Sequence, residues 1–193
     1  KIGGEMYELL TMANRTTEDV FSLLDNLLKW TKSQIGNLNV VYQDVDAVEV
    51  VDSVIDVFNM VAGLKKITIR EEKPEKLPVC TDIDMLKTII RNLLSNAIKF
   101  SNENSEVLVK MEEQGDTVVV SVKDSGCGID EEGQQKLLHT DTHFSTFGTN
   151  NEEGSGLGLL LCQDFAVKIG GKLWFTSKEG EGSTFYFSIP LKK

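Results

Sequence analysis

Between Leu86 and Phe100 the apolar residues Leu86, Ile89, Ile90, Leu93, Ala97 and Ile98 recur at three- and four-residue steps. That is the period of an α-helix with one buried face. Thr81 or Asp82 stands where its N-cap belongs. A second helical pattern opens the chain: Met6, Leu10, Ala13, Thr17, Val20, Leu24, Leu27 and Thr31 alternate four-three until about Ile35. Leu9, Leu23 and Leu28 widen this stripe beyond a two-stranded seam, which predicts a helix within a bundle of three or four. The other reading is an ordinary helix folded back on its own domain. Gly36 and Asn37 supply the stop signal.

Asn39 to Gln43 reads as extended, and Asp46 is placed to cap a helix running to about Ala62. Ile67 to Arg70 reads as a strand, and Lys73 to Pro78, with two prolines, as a connection. Glu106 to Met111 and Thr117 to Val122 flank Gln114-Gly115-Asp116 as a hairpin. A second hairpin, Lys172 to Ser177 and Thr184 to Ile189, closes the chain, with Trp174, Phe185 and Phe187 on one buried face. A helix-rich first half followed by hairpin, helix and hairpin predicts an α+β fold. It is a two-layer sandwich with helices on one face of a mixed sheet, preceded by a long bundle helix. The expected division is residues 1–37 for that helix and 38–193 for the sandwich.

Composition narrows the partners. With 193 residues and 40% hydrophobic content the chain has material for one ordinary core. Its formal charge of −10 repels nucleic acid and anionic membrane, so any phosphate must be held locally. Cys80, Cys127 and Cys162 form no close pair and suggest neither a disulfide framework nor a zinc site. No apolar run approaches about eighteen residues and no signal peptide opens the sequence. The expectation is a cytoplasmic stretch with reduced thiols, whose longer parent can still be membrane-anchored.

Candidate chemistry starts on the central helix, where Asn92, Asn96 and Lys99 fall at i, i+4 and i+7 on a stripe away from the apolar face. A carboxamide oxygen is a neutral hard ligand suited to Mg²⁺, and an ammonium is a point charge suited to phosphate. The stripe can also be the wet side of a surface helix, although asparagine is a poor helix former. Asp124-Ser125-Gly126-Cys127-Gly128-Ile129 ends the first hairpin with a carboxylate beside glycines that let a flat ligand approach; turns with no ligand share this pattern. Gly154-Ser155-Gly156-Leu157-Gly158-Leu159 opens a helix whose first N–H groups favour an anion. Residues 130–153 are polar and short of aliphatics, as in a cover over a site. His139 and His143 lie there as loop residues, since the Glu of a zinc-protease helix is Thr140.

Across residues 82–187 the motifs Asn-x-x-x-Asn-Ala-x-Lys-Phe, Asp-x-Gly-x-Gly, Gly-x-Gly-Leu-Gly-Leu and Gly-Ser-Thr-Phe follow in fixed order. The set resembles the catalytic ATP-binding domain of sensor histidine kinases, within the gyrase, Hsp90, histidine kinase and MutL superfamily. The resemblance implies the Bergerat fold and ATP with Mg²⁺ as cofactors. It implies that Asp124 takes the adenine amino group with a water near Thr184, and that Gly126, Gly128 and Ile129 shape the base site. By the same resemblance Asn96 ligates Mg²⁺, Asn92 and Lys99 face the phosphates as catalytic residues, and Phe100 packs near the purine. Gly154, Gly156, Leu157, Gly158 and Leu159 would lend backbone amides, and residues 130–153 would be the lid, anchored by Phe144 or Phe147.

The helix at 1–35 looks like the second helix of the family's dimerisation hairpin, which implies a homodimer through that helix and a response regulator receiver domain as partner. The phosphoacceptor histidine would sit on a first helix absent from this chain, because neither His139 nor His143 is followed by an acid. A regulatory nucleotide-binding module that catalyses nothing is the competing reading. Its motives are the absent phosphoacceptor histidine and Lys136, alone among basic residues in 130–153, because the family often sets an Arg or Lys against the terminal phosphate.

Overall fold

A computed structural model describes Met6, Thr17, Val20, residues 24–33, Gly36, 38–137, Thr149 and 156–191. The chain divides into two compact units, Lys1–Leu38 and Asn39–Lys193. In the first, residues 24–33 are helical, and Leu24, Leu27 and Leu28 are exposed along it. Most of the predicted opening helix lies outside the described residues. Among those that are described, no helix is long and apolar enough to cross a membrane.

The second unit is an α+β sandwich. Its main sheet runs β2 (Thr68–Glu72), β4 (Glu106–Gln114), β5 (Thr117–Lys123), β7 (Gly182–Pro190), β6 (Leu173–Lys178). The β2–β4 pair is parallel and the others antiparallel. Against it lie α1 (Ala47–Leu64), α2 (Ile83–Phe100) and α4 (Leu157–Lys168). The inner sheet face follows from the two-residue period: Val109 faces Val122, Met111 faces Val120, and Val120 and Val122 face Phe187 and Phe185. All six side chains are buried.

The predicted central helix is α2, and it contacts α1, α4 and β5. Leu86, Ile89, Ile90, Leu93 and Leu94 are wholly buried, each contributing about 1.5–3 kcal/mol by leaving water. Asp82 is its cap: Oδ1 accepts from Asp84 N and Met85 N at 3.0 Å. Its Oδ2 accepts from Val41 N at 2.8 Å, which ties the start of the unit to the helix. Asp46 does the same for α1, accepting from Val48 N and from Leu77 N at 3.0 Å each.

Three local expectations are corrected. The extended stretch near residue 40 pairs only from Gln43 to Asp46 (β1), and its partner β3 (Pro78–Thr81) starts inside the predicted connection. Pro78 is tolerated because it opens the strand of a two-stranded sheet, where a missing N–H costs least. A six-residue helix α3, Glu131–Lys136, capped by Asp130, begins the polar segment. Trp174 does not share a face with Phe185 and Phe187. It stands opposite Tyr186 and stacks on it at 5.3 Å, on the face away from the helices, while Leu173 and Phe175 meet Phe187 and Phe185.

Candidate nucleotide site

The α2 stripe meets two glycine-bearing segments, one at its middle and one at its C-terminal end. At Asn92, Nδ2 donates to the Thr88 carbonyl one turn back at 2.9 Å, which turns Oδ1 toward the start of α4. A Cβ on Gly158 would lie 2.7 Å from that oxygen, so a side chain there would push the Asn92 carboxamide aside. Gly156 caps α4 at φ +68° without a side-chain bond, leaving first-turn N–H groups that no helical carbonyl satisfies. Leu157 is buried there, and Gly158 and Leu159 are half-buried. Gly154 lies outside the described residues, as do Phe144, Phe147, His139 and His143.

Eight residues further along α2, a rise of about 12 Å, the Phe100 carbonyl abuts Gly126. A Cβ on Gly126 would fall 2.1 Å from Phe100 O, and Ser101 and Gly126 form a β-bridge. Beside it Asp124 is 4% exposed. Its Oδ1 accepts from Gly126 N at 2.9 Å and Ser183 N at 3.2 Å. Both bonds fall on one oxygen, and Oδ2 takes none from the described residues. Burial pushes the Asp124 carboxyl above its ordinary range, partly offset by the two backbone N–H bonds. Between the two, Asn96 is half-buried and bonds to no described side chain or loop N–H, and the Lys99 ammonium lies 4.9 Å from the Phe100 ring centre.

The base-side turn is bound to the final hairpin. Gly128, at φ +65°, passes so close to Lys178 that a Cβ would be 2.0 Å from its carbonyl oxygen. Ile129 N donates to Ser177 Oγ at 2.9 Å, and Ser177 Oγ in turn meets Ser183 Oγ at 2.9 Å. The partner of Asp124 on this hairpin is therefore Ser183, not Thr184. Thr184 pairs with Lys123, one residue before Asp124, so its side chain points to the opposite sheet face. Gly-Ser-Thr-Phe in the sequence shows no register, and either hydroxyl fits it. Ser177 carries no motif signal at all.

The donor set suits a magnesium nucleotide. Among the described residues no cluster of three His, Cys, Asp or Glu exists, so a cation here would rest on neutral carboxamide oxygens and the ligand's own phosphates. Asn96, uncommitted to other side chains, fits that role, and Asn92 has its oxygen turned to α4. Glycine at 126 and 128 lets the turn after Asp124 press against the Phe100 and Lys178 carbonyls, which holds the carboxylate in place.

Comparison with known proteins gives the family. Residues 81–193, more than half of the chain, match the family described as histidine kinase-, DNA gyrase B- and HSP90-like ATPase. The adaptive-response sensory kinase SasA of Rippkaea orientalis is 30% identical over 171 residues, covering 88% of this chain and 43% of SasA. The chain thus spans less than half of that relative. The solved catalytic domain of histidine kinase ThkA is 31% identical, covers 78% of this chain and 96% of that one, and superposes with a TM-score of 0.68. ThkA in complex with response regulator protein TrrA shares the fold at a TM-score of 0.76 and 24% identity, over 97% of this chain and 52% of that one. The chain belongs to the histidine kinase-, DNA gyrase B- and HSP90-like ATPase family, as a histidine kinase catalytic domain of Bergerat fold.

Proposed function

We propose that this chain binds MgATP and transfers its γ-phosphate to a histidine on another helix, for relay to a response regulator aspartate. The observation that carries the reading is the double junction on α2: Asn92 against Gly158 at its middle, Phe100 against Gly126 and Asp124 at its C-terminal end. One rigid helix sets the distance between an amide-rich anion site and a carboxylate that can accept from an exocyclic amine. Asp124 Oδ2 takes the adenine amino group, with Ser183 rather than Thr184 beside it. Lys99 and the first-turn amides of α4 face the phosphates. Asn96 would hold Mg²⁺, with Asn92 facing the phosphates, and the ion when bound neutralises phosphate charge.

Asn92 also explains restraint toward water. A positioned general base is worth about 10² to 10⁴ in rate, and a carboxamide cannot act as one. In the ATPases of the superfamily a Glu occupies this position. Hydrolysis should be slow, with positioning and electrostatics reserved for the acceptor histidine. The exposed Leu24, Leu27 and Leu28 support an N-terminal helix that pairs in a homodimer, and the ThkA–TrrA complex supports a receiver domain as partner. Supply of ATP places the activity in the cytoplasm.

One observation favours the regulatory reading: Lys136 pairs with Glu132 on its own helix α3 instead of standing alone. The decisive assay mixes the chain with MgATP and a separate histidine-bearing dimerisation domain. Acid-labile phosphate on histidine is the expected result. Tight ATP binding without label would replace the kinase by the regulatory module, and brisk phosphate release would replace both by an ATP-driven clamp.

A further inference from the structure

Lys65 has no place in the site just described, yet it is 7% exposed. It is the C-cap of α1, and Lys66 after it adopts φ +56°, a left-handed turn that a non-glycine residue takes at a cost. A buried ammonium is expensive unless all of its donors are used. Here Nζ donates to the Ile98 carbonyl at 3.0 Å, the Lys99 carbonyl at 2.7 Å and Thr149 Oγ1 at 2.6 Å. Two of these acceptors are last-turn carbonyls of α2, which lack helical partners and carry the negative end of the helix dipole.

Thr149 completes the knot. Its Oγ1 accepts from Lys65, leaving its single proton for the Ser101 carbonyl at 2.8 Å, and its N–H donates to Lys99 O at 3.3 Å. The same short span therefore carries the Lys99 side chain, the Phe100–Gly126 contact and the Ser101–Gly126 bridge. Holding the carbonyls of residues 98, 99 and 101 fixes where the Lys99 ammonium stands relative to Asp124. We propose that Lys65 and Thr149 are positioning residues for the nucleotide site, acting through the end of α2 without touching ATP. This rests on the nucleotide reading above.

The test uses the whole 193-residue chain with two readouts. Calorimetric titration with MgATP should show Thr149→Val weakening binding about tenfold, the size of one charge-assisted hydrogen bond lost from the knot. Thr149→Ser should restore it. Adding Lys65→Met to Thr149→Val should cost no more than Lys65→Met alone, because both changes undo one unit. Amide exchange at Ser101 and Gly126 in the nucleotide-free chain reads the knot without ATP: faster in Thr149→Val, normal in Thr149→Ser. Should Lys65→Met fail to fold, the threonine pair decides alone. Equal exchange in Thr149→Val and wild type, or multiplicative losses in the double variant, would overturn the proposal. Wild-type chain that ignores MgATP would overturn the nucleotide reading, and the positioning role with it, whatever the exchange shows.

Discussion

Replacing Asp124 by asparagine separates two jobs that the carboxylate performs. In the folded chain Oδ1 accepts from Gly126 N and Ser183 N, at 2.9 and 3.2 Å. Those donors fix the rotation of the introduced carboxamide: its oxygen must face them, so its NH₂ takes the place of Oδ2. An acceptor for the adenine amine thus becomes a donor facing a donor. A hydrogen bond to a charged group is worth about 1.5–3 kcal/mol, or roughly 10- to 150-fold in Kd. Asp124→Asn should weaken MgATP by at least that factor.

Stability moves the other way. Burial raises the Asp124 carboxyl, so its charge destabilises the folded chain above the raised folded value. That penalty fades as pH falls through the folded value and is gone below the ordinary carboxylate value, where both states are protonated. The variant carries no charge, so it should melt no lower than wild type at pH 7, and the difference should shrink on acidification. Titration calorimetry and thermal melts across pH 3–8 measure both. Unchanged ATP affinity, or a melting loss at neutral pH typical of a broken buried network, would refute the assignment of the two oxygens.

Asn96→Ala should abolish Mg²⁺-dependent nucleotide affinity with a melting point close to wild type, since this side chain has no hydrogen-bonded partner among the described residues; binding of ATP with and without Mg²⁺ checks it. Gly126→Ala places a Cβ against backbone at Phe100, and overpacking of about 1–3 kcal/mol or more should appear in denaturant unfolding as a lower midpoint. Gly158→Ala meets only the tip of Asn92, so the chain should fold normally while MgATP affinity drops several-fold, read by calorimetry. Brief alkylation of the native chain should modify exposed Cys127, and MgATP should slow that reaction because Gly126 and Gly128 flank it; Cys162, buried with its thiol pushed up by burial, should react only after unfolding, as mass spectrometry would show.

Local rules carried the sequence far. The 3.6-residue period defined α2, the side chains of Asp46 and Asp82 defined two helix starts, and the glycine-rich turns defined the ends of β5 and the entrance of α4. Each depends on residues within a turn or two of one another, so spacing alone reveals it. What spacing cannot reveal is which strand edge meets which. The β1–β3 pair joins segments more than thirty residues apart through four short pairs, too few to show a periodic signal. The β5–β7 register put Ser183 rather than Thr184 beside Asp124, and the β6–β7 pairing set Trp174 opposite Tyr186, away from the core, because successive residues of a strand face opposite sides. Lys65 looks in sequence like any surface lysine. Only the fold supplied the three acceptors that make its burial tolerable, two of them carbonyls at the end of a helix that begins eighteen residues further along the chain.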